Sequence, residues 1–213
     1  MRGLFITFEG IDGCGKSTQL DMLACELKQR GLDVVVTREP GGTEISEAIR
    51  QVLVSDASVH IAATTELLLY VAARAQHVAE LIKPALDAGR IVISDRFTDS
   101  TVAFQGYGRG LDLEVIQKLN HFATGGLVPD LTIVFDVDPA TARARLGSRP
   151  VGGLLGAFDE QHADFHERMR AGYLMMAESE PSRIRILDAR GAAGITHSRV
   201  LDLVLPRVEQ LRE

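Results

Sequence analysis

Apolar and polar positions along the chain fall into two alternating kinds of segment. Short, nearly all-apolar, β-branched runs occur at Leu4–Phe8, Val34–Thr37, Ile91–Ser94, Thr132–Val137 and Arg185–Leu187. Between them lie longer segments of helical period at Lys16–Arg30, Thr43–Leu53, Thr65–Ala88, Leu113–Ala123, Ala140–Leu146, Asp159–Glu178 and Ile195–Leu211. Strands buried on both faces lose the in–out alternation, so this pattern predicts an α/β fold whose parallel sheet is covered by helices on either side. Pro84 falls inside the third helical segment and is expected to kink or interrupt it, because it donates no backbone N–H. No repeat and no long linker divides the sequence, so residues 1–213 are expected to form one domain. The stretch Pro150–Phe158, PVGGLLGAF, carries no charge and three glycines. It reads as a surface loop or as the tip of a closing flap, with a lid at about 143–160.

The junctions between these elements carry the chemistry. Immediately after the first strand comes Gly10-Ile11-Asp12-Gly13-Cys14-Gly15-Lys16-Ser17, which matches G-x-x-x-x-G-K-[ST] between a strand and a helix. Glycines let backbone N–H groups curl around phosphate oxygens, and the helix N-terminus adds its positive end. Lys16 is expected to reach the β and γ phosphates of ATP, and the Ser17 hydroxyl to bind Mg²⁺. Asp95, at the end of the third strand, is expected beside the same metal. Arginines cluster at strand ends and turns: Arg38 in Arg38-Glu39-Pro40-Gly41-Gly42, Arg96 after Asp95, and Arg109 in Gly106-Tyr107-Gly108-Arg109-Gly110. In parallel sheets ligands bind beyond the carboxyl ends of the strands, so these guanidinium groups should converge on a second phosphorylated molecule. Glu66, Tyr70 and Arg74, spaced i, i+4, i+8, share one helical face. That face reads either as a core edge or as an aromatic ring and a donor set against a base.

Composition narrows the classes without choosing among them. With 46% hydrophobic and 24% charged residues the chain can bury a core, which excludes a disordered protein. A formal charge of −6 argues against a nucleic-acid partner. No apolar run is long enough for a membrane span, the run after the start is cut short by Glu9, and the two cysteines are too few for a disulfide scaffold. A cytoplasmic location is the expectation. A guanine-reading Asn-Lys-x-Asp motif, which a nucleotide-dependent switch would need, is missing from the sequence.

Taken together the motifs resemble those of bacterial thymidylate kinases. The resemblance runs through nearly the whole chain. It rests on Phe8-Glu9-Gly10 leading into the phosphate loop, Thr37-Arg38-Glu39-Pro40-Gly41-Gly42, Ala72-Ala73-Arg74, Asp95-Arg96-Phe97, Ser100-Thr101-x-x-Phe104-Gln105-Gly106 and Pro129-Asp130-Leu131-Thr132. It implies a three-layer sandwich with a five-stranded parallel sheet, the phosphate-loop kinase fold, bearing a small flexible lid, and it implies a homodimer. The implied reaction is transfer of the γ-phosphoryl of Mg-ATP to dTMP. A kinase for another nucleoside monophosphate and a catalytically impaired nucleotide-binding protein are the alternatives. The apolar segment Leu67–Ala73 adds to the case for a dimer, being apolar around most of its helix.

The same resemblance implies that Tyr70 stacks on thymine where relatives usually have Phe, that Arg74 hydrogen-bonds the base, and that Thr101 and Gln105 read its edge. Arg50 and Arg96 would hold the dTMP phosphate, Glu39 would lie close to metal and acceptor, and Asp12 would face the sugar hydroxyl and acceptor phosphate. Lys16, Asp12 and Arg96 are thus expected in catalysis. Two departures stand out. Phe104 replaces the Tyr common before the Gln, and the flap stretch Gly156-Ala157-Phe158-Asp159 lacks the usual Asp-Arg pair. Arg143, Arg145 and Arg149 remain to supply the flap arginine. Arg149, nearest the tip, is expected to be catalytic and Arg143 to lie on the ATP side. Cys14, in place of a small apolar residue, is expected either to be an activated thiol at a helix N-terminus or simply a compact filler.

Overall fold

A computed structural model of the chain describes residues 2–54, 61–147 and 163–211. Five strands, β1 (Phe5–Glu9), β2 (Val34–Arg38), β3 (Ile91–Asp95), β4 (Leu131–Asp136) and β5 (Ile184–Asp188), form one sheet in the order β2-β3-β1-β4-β5, every pair parallel. All five predicted strands are present, and the α/β architecture is the expected one. Thr132–Val137 shifts back by one residue: Val137 is buried, but ladder pairing stops at Asp136. β1, β3 and β4 are buried almost throughout, whereas the edge strands β2 and β5 expose several positions, among them Val36 and Ile186.

The two faces of β1 are filled differently. Ile6 and Phe8 enter the main core with Leu20, Leu23 and Leu27 of α1 (Lys16–Gln29) and Val200, Val204 and Val208 of α9 (Ala193–Gln210). On the other face only Phe5 meets apolar partners, among them Val78, Ile82 and Leu86. Thr7 and Glu9 there are wholly buried polar groups: Thr7 meets the Thr132 hydroxyl at 2.8 Å, and Glu9 accepts from Phe97 N at 2.7 Å and the Tyr173 hydroxyl at 2.9 Å. Each is satisfied, as burial requires.

Helices α2 (Glu44–Leu53), capped by Thr43, and α3 (Ala63–His77) pack together. Pro84 interrupts the hydrogen-bond ladder without ending the helix. A π turn at Val78–Ile82 absorbs the mismatch and the chain continues as α4 (Lys83–Asp87). A second π turn, Val102–Gly108, follows the short α5 (Thr98–Thr101). No helix was expected there, because small residues and two glycines leave no 3.6-residue period to read. Helix α6 (Leu113–Thr124) is capped by Asp112, and α7 (Pro139–Leu146) by Asp138. Helix α8 is described over Ala163–Ser179, so the expected start at Asp159 and the lid beyond residue 147 lie outside the described residues.

Candidate active site

Chain connections leave neighbouring strands β1 and β3 in opposite directions, α1 leading to β2 and α5–α6 to β4, which opens a crevice at their carboxyl ends. A cavity of about 460 Å³ occupies it, lined by parts of the phosphate loop and by Glu39, Arg50, Tyr70, Arg74, Asp95, Arg96, Thr101 and Gln105. Eight residues expected from five separate stretches of sequence thus share one space with Asp12, Lys16 and Ser17.

At one end the loop after β1 turns on Gly10, Gly13 and Gly15, all at positive φ. A Cβ at Gly10 would stand 2.7 Å from the Phe135 carbonyl and one at Gly13 2.4 Å from the Ala142 carbonyl, so β4 and α7 hold the loop at a distance only glycine tolerates. Lys16 curls back over it, donating to the Gly10 and Ile11 carbonyls, both at 3.1 Å. Ser17 Oγ donates to Asp95 Oδ2 at 3.3 Å, while Asp95 Oδ1 is buried with no hydrogen-bond partner among the described residues. One hydroxyl and one under-used carboxylate are hard oxygen donors. They fit Mg²⁺, which keeps waters and phosphate oxygens for its remaining positions.

Arg96 holds the two sides together. It is the one non-glycine residue among those described with a positive φ, 75°. Its guanidinium donates to Asp12 Oδ1 at 2.7 Å, to the Gly10 carbonyl at 3.1 Å and to Ser100 Oγ at 3.1 Å, and lies 4.6 Å over the Phe104 ring. Burial pushes the Asp12 carboxyl upward, but Arg96 and Lys16 outweigh it and hold it below the usual carboxylate range. Burial likewise opposes the charge on Arg96, and Asp12 more than restores it. Below this pair Glu9 is pushed up to about 7, first by burial and then by the charge of Asp99.

At the other end Arg74 is fully buried. It donates from Nε to Glu39 Oε2 at 2.8 Å, to Asn120 Oδ1 at 2.6 Å and to the Phe97 carbonyl at 3.0 Å, which leaves two of its five N–H groups uncommitted. Glu39 meets His77 Nδ1 at 3.0 Å with its second oxygen, and His77 Nε2 meets Thr37 Oγ1 at 2.7 Å. Arg50 donates to the Pro40 carbonyl at 2.9 Å, across the cis Glu39–Pro40 peptide from Glu39. Thr101 Oγ1 is buried and unpartnered among the described residues.

Sequence reasoning gave no role to His77, Asn120, Glu9, Ser100 and Tyr173; all five brace the site, and Ser100 also lines the cavity. Glu9 and Ser100 stand within the motifs that carry the resemblance, and His77 carried a local signal, three residues after Arg74 on the same helix face. Of the flap candidates, Arg145 lines the cavity and donates to the carbonyls of Cys14 at 3.4 Å and Ala189 at 2.8 Å. Arg143 is exposed on α7 and is not part of the cavity wall, and Arg149 lies outside the described residues. The activated-thiol reading of Cys14 is overturned: the side chain is buried and burial pushes its thiol up.

The family profile described as thymidylate kinase matches residues 8–200. Thymidylate kinase from Desulfovibrio desulfuricans is 50% identical over 190 residues, covering 87% of this chain and 88% of that one. Thymidylate kinase from an Exiguobacterium species is 46% identical over 210 residues, 99% and 98% of the two chains. Among solved structures, thymidylate kinase from Ehrlichia chaffeensis superposes with a TM-score of 0.77 at 35% identity, covering 96% of this chain and 99% of that one.

Proposed function

The chain belongs to the thymidylate kinase family and phosphorylates dTMP, and on that premise we propose how its residues divide the work. The observation that carries the proposal is the single cavity in which a phosphate loop, Asp95 and Arg96 face Tyr70, Thr101 and Gln105. ATP takes the phosphate loop, with Lys16 turning from the Gly10 and Ile11 carbonyls to the β and γ phosphates. Ser17 and Asp95 hold Mg²⁺, which when bound neutralises charge on the transferring group. dTMP lies opposite, its phosphate within reach of Arg96 and Arg50 and its base against Tyr70 and the free N–H groups of Arg74.

The acceptor phosphate is already ionised at neutral pH, so these residues need only align the reactants and stabilise charge. Asp12 keeps Arg96 in place between loop and acceptor. Arg145 is pinned to carbonyls and steadies the loop, which leaves Arg149 as the flap arginine. The enzyme works as a homodimer in the cytoplasm. Ile45 on α2, Leu68 on α3 and Val115 and Phe122 on α6 are exposed apolar residues on helices that pack side by side, and both cysteines are free thiols. No helix among the described residues is long and apolar enough to cross a membrane.

Release of ADP from ATP, followed with and without dTMP and then after EDTA, tests the reading. ADP should form only with dTMP present and should stop on chelation. Turnover indifferent to dTMP would overturn the assignment, and sedimentation showing only the 23.1 kDa species at micromolar concentration would overturn the dimer.

A further inference from the structure

Glu66, on the first turn of α3, contacts neither the phosphate loop nor the metal side chains, yet it is mostly buried behind the base end of the cavity. One of its oxygens accepts from Gln105 Nε2 at 2.8 Å and the other from an Arg109 Nη at 2.9 Å. An amide has a donor end and an acceptor end, and which end points where is decided by its partners. A carboxylate offers only acceptors. Glu66 therefore fixes the Gln105 amide with its NH₂ turned away from the cavity, and Arg109 occupies the second oxygen so that the carboxylate stays in place. Nothing among the described residues donates to Gln105 Oε1, and Gln105 lines the cavity beside the unpartnered hydroxyl of Thr101.

We infer that Glu66 is a positioning residue for base selection: by locking the Gln105 amide it presents an acceptor to a pyrimidine carrying N3–H and a C4 carbonyl and turns away one carrying a bare N3 and a C4 amine. The inference rests on the base-pocket reading above. Thymine offers a donor at N3 to Gln105 Oε1 and an acceptor at O4 to the uncommitted N–H groups of Arg74. Cytosine reverses both, setting lone pair against lone pair at N3 and donor against donor at C4. A buried site that leaves such groups unpaired rejects the wrong base far more strongly than one that only loses shape complementarity. The spacing of Glu66 with Tyr70 and Arg74 on one helical face then has a single meaning, since one face of α3 carries the stacking ring, the O4 donor and the group that orients the N3 acceptor.

The test is the ratio of kcat/KM for dTMP to that for dCMP. Glu66→Gln replaces an acceptor-only group by one that can also donate, so the Gln105 amide is free to flip. The ratio should fall about tenfold or more, the KM for dTMP should rise, and the KM for ATP should stay within about twofold. The exchange E66Q/Q105E puts a donor behind and an acceptor-only group toward the base, and it should recover most of the discrimination. Equal losses for both nucleotides in the single variant, or a double exchange that no longer prefers dTMP, would overturn the inference, and the second arm decides if the single variant does not fold. Gln105→Ala separates the two layers. An unchanged dTMP KM there would sink the base-pocket reading itself, whereas a raised KM alongside full discrimination in Glu66→Gln would sink only the role of Glu66.

Discussion

The phosphate end of the cavity is lined chiefly by main chain, and the base end by side chains that stand on other side chains. At the first, the glycines and helix N-terminus of residues 10–17 offer backbone N–H groups, and Lys16 rests on carbonyls of the same loop. At the second, Arg74 is held by Glu39, Asn120 and the Phe97 carbonyl, Glu39 by His77, and His77 by Thr37. Function and stability are therefore separable at one end and fused at the other, because a lost tip leaves a loop intact while a lost link strands a buried charge.

The largest expected effect breaks the phosphate end without touching the fold. Lys16→Ala should lower kcat by about 10²–10³-fold, while calorimetry should find dTMP affinity within about twofold and Tm nearly unchanged. Residual turnover close to that of the wild type would end the assignment of Lys16. At the base end the opposite is expected. Arg74→Ala leaves Glu39 buried beside His77 alone, so stability should drop by about 3–5 kcal/mol along with dTMP affinity. Arg74→Lys should not rescue it, since one ammonium cannot reach three separated acceptors. Gln105→Ala marks the limit of that fusion: Glu66 keeps Arg109 and no buried charge is stranded, so dTMP should weaken with little change in Tm. If urea unfolding found Arg74→Ala as stable as Lys16→Ala, the contrast between the two ends would fail.

Glu9 lies beneath the junction of the two ends and titrates. Its carboxyl moves from an ordinary 4.5 to about 7 on folding, so between these values the folded chain holds a proton that the unfolded chain has lost. Stability accordingly falls as pH rises through that window, by on the order of 3 kcal/mol, and is lowest above pH 7 as far as this group is concerned. Glu9→Gln should flatten the slope between pH 5 and 7.5 in denaturant titrations; an undiminished slope would assign it to another group. The smallest effect is at Cys14. Alanine there should keep kcat within about twofold at a cost of about 1 kcal/mol, and a thiol reagent should label exposed Cys25 well before buried Cys14.

The contrast between the ends also explains what could be read in advance. A phosphate loop is contiguous and made by backbone, so eight consecutive residues state it in full. Strands β1, β3 and β4 were legible because burial on both faces removes polar alternation, although the same apolar continuity hid that Thr7 and Glu9 face a polar layer. The base end was reached through resemblance and helix spacing, and its supports were not reached at all. Glu9 meets Tyr173 across 164 positions and Glu39 meets His77 across 38, distances over which no local pattern survives. The π turn that carries Gln105 was invisible for another reason: its sequence VAFQGYG, with small residues and two glycines, shows no period by which helices are recognised.

The place of β1 in the sheet has a consequence for how the chain is born. Of the sheet's five strands it is made first and lies at the centre, and its partners Val92–Asp95 and Leu131–Val134 come much later. Thr7 and Thr132 are separated by 125 positions, so at ribosomal speeds of roughly 5–20 residues per second the strand stays incompletely paired for about 6–25 s. During that time an apolar ribbon ending in the phosphate loop has β3 at most on one side, and the loop has no β4 carbonyl to lean on. Nucleotide therefore cannot nucleate folding from β1 and its loop alone. It can only reward a sheet that is already closed, and nascent chains shorter than β4 should cling to holdase chaperones and ignore ATP.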